Sequence, residues 1–76
     1  MAAELKRGIY RHYKGKDYEV YGVAVHTETE EKLVVYRSLY GNYRLNVRPL
    51  KMFCENVIIG KYNGPRFTLV HAFKEE

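Results

Sequence analysis

The residues best suited to chemistry in this chain are arginines and aromatics. Arg37, Arg44 and Arg48 run through residues 33–49, among Tyr36, Tyr40 and Tyr43. Arg presents a planar, permanently charged fork that fits phosphate or carboxylate oxygens. A second mixed run, Tyr10-Arg11-His12-Tyr13-Lys14, sets cations between rings. Domains that bind single-stranded nucleic acid use such rings as stacking platforms while cations follow the backbone. Aromatic-lined grooves also take proline-rich peptides. Two partner classes follow: an anionic partner, of which nucleic acid is the first choice, and a protein or peptide held by exposed tyrosines and a strand edge.

Other chemistries find little material. A serine nucleophile needs a base and an orienting acid, but the chain has one Ser, Ser38, one Asp, Asp17, and no G-x-S-x-G. His12, His26 and His71 are not spaced as metal ligands relative to one another or to Cys54. Glu28, Glu30 and Glu31 crowd one loop, which cannot give two carboxyls the different environments of an acid–base pair. No glycine-rich phosphate loop leads into a helix. Cys54, beside Phe53, reads as a small packing residue. A non-catalytic binding module without metal or cofactor is expected; an enzyme of unfamiliar type built on His12 or His26 is the last alternative.

The elements that must position these residues belong to one small domain. A chain of 76 residues buries only about 60% of its unfolded surface, so a single modest core has to suffice. Its 46% apolar content argues for a folded domain, and eight Tyr and three Phe supply much of the bulk. The net charge of +4 permits attraction to a polyanion and equally serves solubility. The lone Cys54 excludes an internal disulfide, the first residues lack the apolar core of a signal peptide, and Val57-Ile58-Ile59 is far too short to cross a bilayer. A cytoplasmic protein without membrane contact is expected. Its oligomeric state is open, since an unpaired edge strand can pair with a copy of itself.

Along the chain, residues 1–7 read as a leader, 8–73 as the domain and 74–76 as a tail. Strands are expected over 8–13, 18–27, 33–40 and 43–48. Residues 14–17 form a turn and 28–32 a charged hairpin loop. Apolar residues occupy both alternation sets of the second strand, and Gly22 is the natural place for a bulge or kink. Pro49 stops the fourth strand and starts a helical turn over 49–53 whose Leu50 and Phe53 can cap an open barrel end. Residues 56–59 read as a fifth strand, 60–65 as a loop, and 66–70 as an edge strand with Phe67 and Leu69 inward. The pattern is all-β: a small SH3-like barrel of about five short strands with one helical turn before the last, an OB-like barrel being the runner-up.

Gly41-Asn42 is the strongest local signal. A two-residue hairpin with Gly first suits a type II′ turn. Tyr40 would then oppose Tyr43, and pairing would run back through Leu39–Arg44, Ser38–Leu45, Arg37–Asn46, Tyr36–Val47 and Val35–Arg48. With period two, Tyr36, Ser38, Tyr40, Tyr43, Leu45 and Val47 form the core face. The other face carries Arg37, Arg44, Asn46 and Arg48, either as an anion-contacting patch or as a solvated surface neutralised by Glu19 or Glu55. Arg11 and Tyr13, sharing the second face of the first strand, complete the candidate ligand-binding set.

The runs Gly8-x-Tyr10-Arg11-His12-Tyr13-Lys14-Gly15, Tyr18-x-Val20-x-Gly22-Val23-Ala24-x-His26-x-Glu28-Thr29, Leu33-Val34-Val35-Tyr36-Arg37-x-Leu39-Tyr40-Gly41, Val47-Arg48-Pro49-Leu50-x-Met52-Phe53 and Pro65-Arg66-Phe67 resemble a bacterial family known as domain of unknown function 1653. The resemblance spans residues 8–67. It implies an SH3-like barrel and brings no established activity, substrate or ligand. Members usually carry Trp just before the Val-Arg-Pro step, where this chain has Asn46. A Trp there would stack on guanidinium groups.

Overall fold

The computed structural model describes residues 5–74. The outer parts of the expected leader and tail, 1–4 and 75–76, lie outside the described residues. The elements are β1 (Gly8–His12), β2 (Asp17–Val25), β3 (Lys32–Ser38), β4 (Leu45–Pro49), α1 (Leu50–Cys54), β5 (Asn56–Ile59), β6 (Tyr62–Pro65) and β7 (Phe67–Ala72). Five strands form an antiparallel sheet in the order β4-β3-β2-β1-β7, and β5 pairs with β6 as a separate antiparallel hairpin. The larger sheet does not close: β4 and β7 are both edges. Among the described residues the fold is all-β with one short helix.

Extended structure in β1 to β3 follows from alternating aromatic and β-branched residues. The expected irregularity in β2 is present. The register with β3 shifts between Val20 and Gly22, leaving Tyr21 as the extra residue, and Gly22 takes φ +155°. Only Gly reaches that region cheaply. Pro49 caps α1 with an extended backbone (φ −53°, ψ 137°), as its ring dictates. Residues 60–65, expected as a loop, contain β6. Gly64 allows it, because the Tyr62 ring folds over that position and its hydroxyl donates to the Pro65 carbonyl at 2.6 Å.

Among the described residues six side chains form the core cluster on the inner face of the sheet, Tyr10, Val20, Val34, Tyr36, Phe53 and Phe67, and Val57 of β5 is buried apart from it. Phe53 arrives from α1 and packs against Tyr10, Tyr36 and Phe67. Leu5, Tyr18 and Leu50 pack around this cluster. The chain before β1 is tied in as well, since the carbonyls of Lys6 and Arg7 accept bonds from the Tyr10 hydroxyl (2.7 Å) and the Phe73 amide (2.9 Å). At Gly8 the β7 backbone comes so close that an added Cβ would run into the His71 carbonyl oxygen.

The β3–β4 hairpin departs from its expected register by one residue. Gly41 has φ +61°, and the Tyr43 amide donates to the Tyr40 carbonyl at 3.1 Å, so the tight turn is there. Tyr43, however, is itself left-handed (φ +54°), and the next closing bond runs from the Ser38 amide to the Arg44 carbonyl. The Leu39 amide is drawn instead to the Asp17 carbonyl of β2. The ladder is therefore Arg37 with Leu45, Tyr36 with Asn46, Val35 with Val47 and Val34 with Arg48. A slip of one residue inverts the whole strand. Leu45 and Val47, expected in the core, are 54% and 60% exposed on the outer face.

Candidate functional site

The same slip separates the three arginines expected to share a face. Arg37 points outward, its guanidinium carbon 5.8 Å from the Tyr21 ring centre, with a buried Nε that has no partner among the described residues. Glu19 stands opposite Arg37 in the β2–β3 register without an ion pair between them among the described residues. Arg44 belongs to the turn, where Ser38, Tyr40, Gly41, Asn42 and Arg44 line an open cavity of about 250 Å³. Arg48 turns to the inner face. Arg11 is held by Asp17 at 2.8 Å, and this partner raises its pKa and lowers that of the carboxyl. Glu55 reaches Arg66, not the hairpin, at 3.4 Å.

Where the inner face emerges from beneath α1, one exposed ring, Tyr40, and four half-buried ones follow one another in contact. Tyr40 and Tyr18 are 5.6 Å apart, Tyr18 and His12 6.3 Å, His12 and Tyr13 4.4 Å, and Tyr13 and Tyr62 5.4 Å. Strand alternation predicts Tyr13 on the opposite face from His12. Strand β1 ends at His12, so alternation stops there and the turn folds Tyr13 back onto its neighbour. The Tyr18 and Tyr40 hydroxyls lie 2.7 Å apart. Burial, then that bond, raises the Tyr18 pKa and keeps its hydroxyl protonated.

Cations border this row. Lys16 lies 5.0 Å from the Tyr40 ring centre and Lys14 6.0 Å from that of Tyr13. Arg48 sits 5.9 Å from the Phe67 ring centre, and its Nε donates to the Tyr36 hydroxyl at 3.3 Å. None of Lys14, Lys16 and Arg48 has a carboxylate partner among the described residues. Asn46 is opposite Tyr36 rather than Arg37, and its amide nitrogen donates to Ser38 Oγ (3.2 Å) and the Arg44 carbonyl (3.0 Å).

His12 is the hub. Its ring meets Phe67 edge-on at 5.0 Å, and its Nδ1 accepts the Lys14 amide at 3.2 Å. Burial lowers its pKa first, and Arg48, Arg66 and Lys14 lower it further. The imidazole is therefore neutral at pH 7 with its proton on Nε2. His26 serves the backbone instead, its Nδ1 accepting the Glu28 and Thr29 amides and shaping the β2–β3 loop. Cys54 is exposed and not the packing residue expected; partial desolvation raises its thiol pKa and disfavours the thiolate. Among the described residues no three His, Cys, Asp or Glu side chains converge as metal ligands, and no helix is long and apolar enough to cross a membrane.

Of the six sequence candidates, the structure brings Tyr13, Asn46 and Arg48 to this face, puts Arg44 in the turn cavity that Tyr40 also lines, and leaves Arg37 and Arg11 away from it. Tyr18, Tyr40, Phe67, Arg66 and Lys16 join them, none of which the sequence marks as a candidate. Spacing offers one signal for Tyr18, which opposes Tyr10 and hence shares the face of His12.

The comparisons agree with this architecture. Residues 8–69 match the family model described as "Protein of unknown function (DUF1653)". The crystal structure of a protein belonging to DUF1653 from Bordetella bronchiseptica is 38% identical, with a TM-score of 0.83 and 95% of each chain covered. No curated protein matches the chain. By family model, sequence identity and fold alike, the chain belongs to the DUF1653 family.

Proposed function

We propose that this domain is a non-catalytic binding module for an anionic partner, single-stranded nucleic acid being the class that suits it best. The observation that carries the reading is the row Tyr40, Tyr18, His12, Tyr13 and Tyr62, bordered by cations that lack carboxylate partners among the described residues. Bases stack on such rings irrespective of sequence, each contributing about 1–3 kcal/mol, while cations follow the phosphates. The contact surface is thus the inner rim and not the outer face that holds Arg37. The strand order β7-β1-β2-β3-β4, with a bulged second strand and a helical turn after β4, supports reading the sheet as an opened SH3-like barrel.

Salt-titrated fluorescence anisotropy with short single-stranded RNA and DNA tests this. Affinity should fall with salt at a log–log slope of about −0.7 for each phosphate contacted. No binding at low salt, or binding indifferent to salt, defeats it. The second reading, a peptide-binding module, draws on the free edge of β4, where Leu45 and Val47 are exposed and an extended peptide could add as a strand. Retention of a protein partner after nuclease treatment would favour it.

A further inference from the structure

We infer that the inner rim contains a preformed subsite for one phosphate group, built by His12 and Arg48 over the Phe67 ring and flanked on each side by a pair of tyrosines. The inference deepens the nucleic-acid reading and rests on it for the identity of the ligand, though not for the existence of the subsite.

The geometry starts with Phe67. Its ring is stacked from behind by Phe53 at 4.1 Å, so it is a fixed floor. His12 stands on its edge, and Arg48 lies 5.9 Å from its centre. Two bonds set the donors. The Lys14 amide occupies His12 Nδ1, which leaves Nε2–H as a donor while the ring is neutral. The Tyr36 hydroxyl occupies Arg48 Nε, which leaves both terminal nitrogens of the guanidinium free among the described residues. Arg66 enters from ahead of β7 with a terminal nitrogen on Glu55 at 3.4 Å and a buried Nε that has no partner among the described residues, so it adds positive charge nearby.

The groups that face His12 are Lys14 and Tyr13 from the turn, Tyr18 from β2, Arg48 from β4 and Arg66 from the chain before β7. The three cations all disfavour a proton on His12, so the potential there is positive, and Glu55 is the one carboxylate paired with any of them among the described residues. An imidazole N–H beside a separate guanidinium end offers more donors than a planar carboxylate, which one Arg fork satisfies, and suits the several oxygens of a phosphate. On one side of His12 lie Tyr18 and Tyr40, on the other Tyr13 and Tyr62. A phosphodiester seated at His12 would therefore send one base toward each tyrosine pair, which makes a dinucleotide step the minimal ligand.

The test follows the His12 ring protons by NMR across a pH titration of the intact chain. Spectra are taken alone, with inorganic phosphate, with acetate, and with a single-stranded oligonucleotide carrying either natural or neutral methylphosphonate linkages. An anion at the subsite favours the charged imidazole, so phosphate and the natural oligonucleotide should move the His12 midpoint upward, and acetate should not. The methylphosphonate oligonucleotide should bind about tenfold more weakly or worse, having lost charge-assisted contacts. Arg48→Gln should abolish the His12 response, whereas Arg37→Gln on the outer face should retain it, both variants being checked for native spectra. Oligonucleotide binding that leaves His12 unmoved overturns the subsite and spares the nucleic-acid reading. A response to phosphate without any oligonucleotide binding keeps the subsite and overturns that reading. An equal response to acetate overturns the phosphate assignment.

Discussion

The rings of Phe53 and Phe67 lie parallel, 5° apart in plane and 4.1 Å between centres. Phe53 comes from α1 and Phe67 opens β7, so this one stack joins the helix to the strand that completes the sheet. Both are buried, at 1% and 7% exposure.

Phe53→Ala is expected to cost about 3–5 kcal/mol, the usual loss for a fully buried aromatic. A small domain has about 5–15 kcal/mol in total, so the variant should unfold at a far lower urea concentration. Combining Phe53→Leu with Phe67→Leu should reveal a coupling of about 0.5–1.5 kcal/mol. Additive losses would mean that the stack contributes only by burial.

Val47 discriminates between the two registers of the β3–β4 hairpin. On the outer face and 60% exposed, it should tolerate Val47→Thr within about 0.5 kcal/mol. Were it inside, the buried hydroxyl would cost about 1–3 kcal/mol. Urea midpoints at constant slope decide between them.

Tyr43 occupies the left-handed region with its side chain 54% exposed. That conformation costs an L-residue about 1–2 kcal/mol. Gly avoids that cost but loses about 0.5–1 kcal/mol in chain entropy. Tyr43→Gly should thus equal or slightly exceed the parent in thermal stability, and the β-branched Tyr43→Val should fall below both.

His12 makes stability depend on pH with a definite sign. Its folded pKa is lowered, by burial first and then by Arg48, Arg66 and Lys14. As pH falls, the unfolded chain takes up the proton before the folded one, so stability is full above about pH 6.5 and declines toward the lowered pKa. His12→Asn keeps an acceptor near the Lys14 amide but does not titrate. Chemical denaturation at pH 7 and at pH 5 should show the parent losing more than this variant; equal losses would remove His12 as the source of the pH dependence.

Much of the architecture is legible in residue types. Alternation locates β1 to β4, Pro49 separates β4 from α1, and Gly22 marks the bulge, each because one residue's backbone limits are nearly independent of context. The register of β4 is not legible, because a tyrosine with φ > 0 has no propensity signal; tertiary competition for the Leu39 amide puts it there. Strand β6 is hidden for a similar reason, its Asn63-Gly64-Pro65 being turn residues pulled straight by β5 and by the Tyr62 ring. The site is half legible. His12, Tyr13 and Arg48 stand out as chemistry, while Tyr18 and Phe67 have the spacing of core residues and serve in both places.

That double service of Phe67 has a thermodynamic consequence. One side of its ring is core and its rim is the floor beneath His12 and Arg48, so the folding equilibrium and the occupancy of the rim share a component. A ligand that settles there binds only the folded chain and raises its melting temperature by mass action, about 2.7 kcal/mol at a hundredfold excess over Kd. Melting curves of the unlabelled protein can therefore rank candidate ligands before any of them has a name.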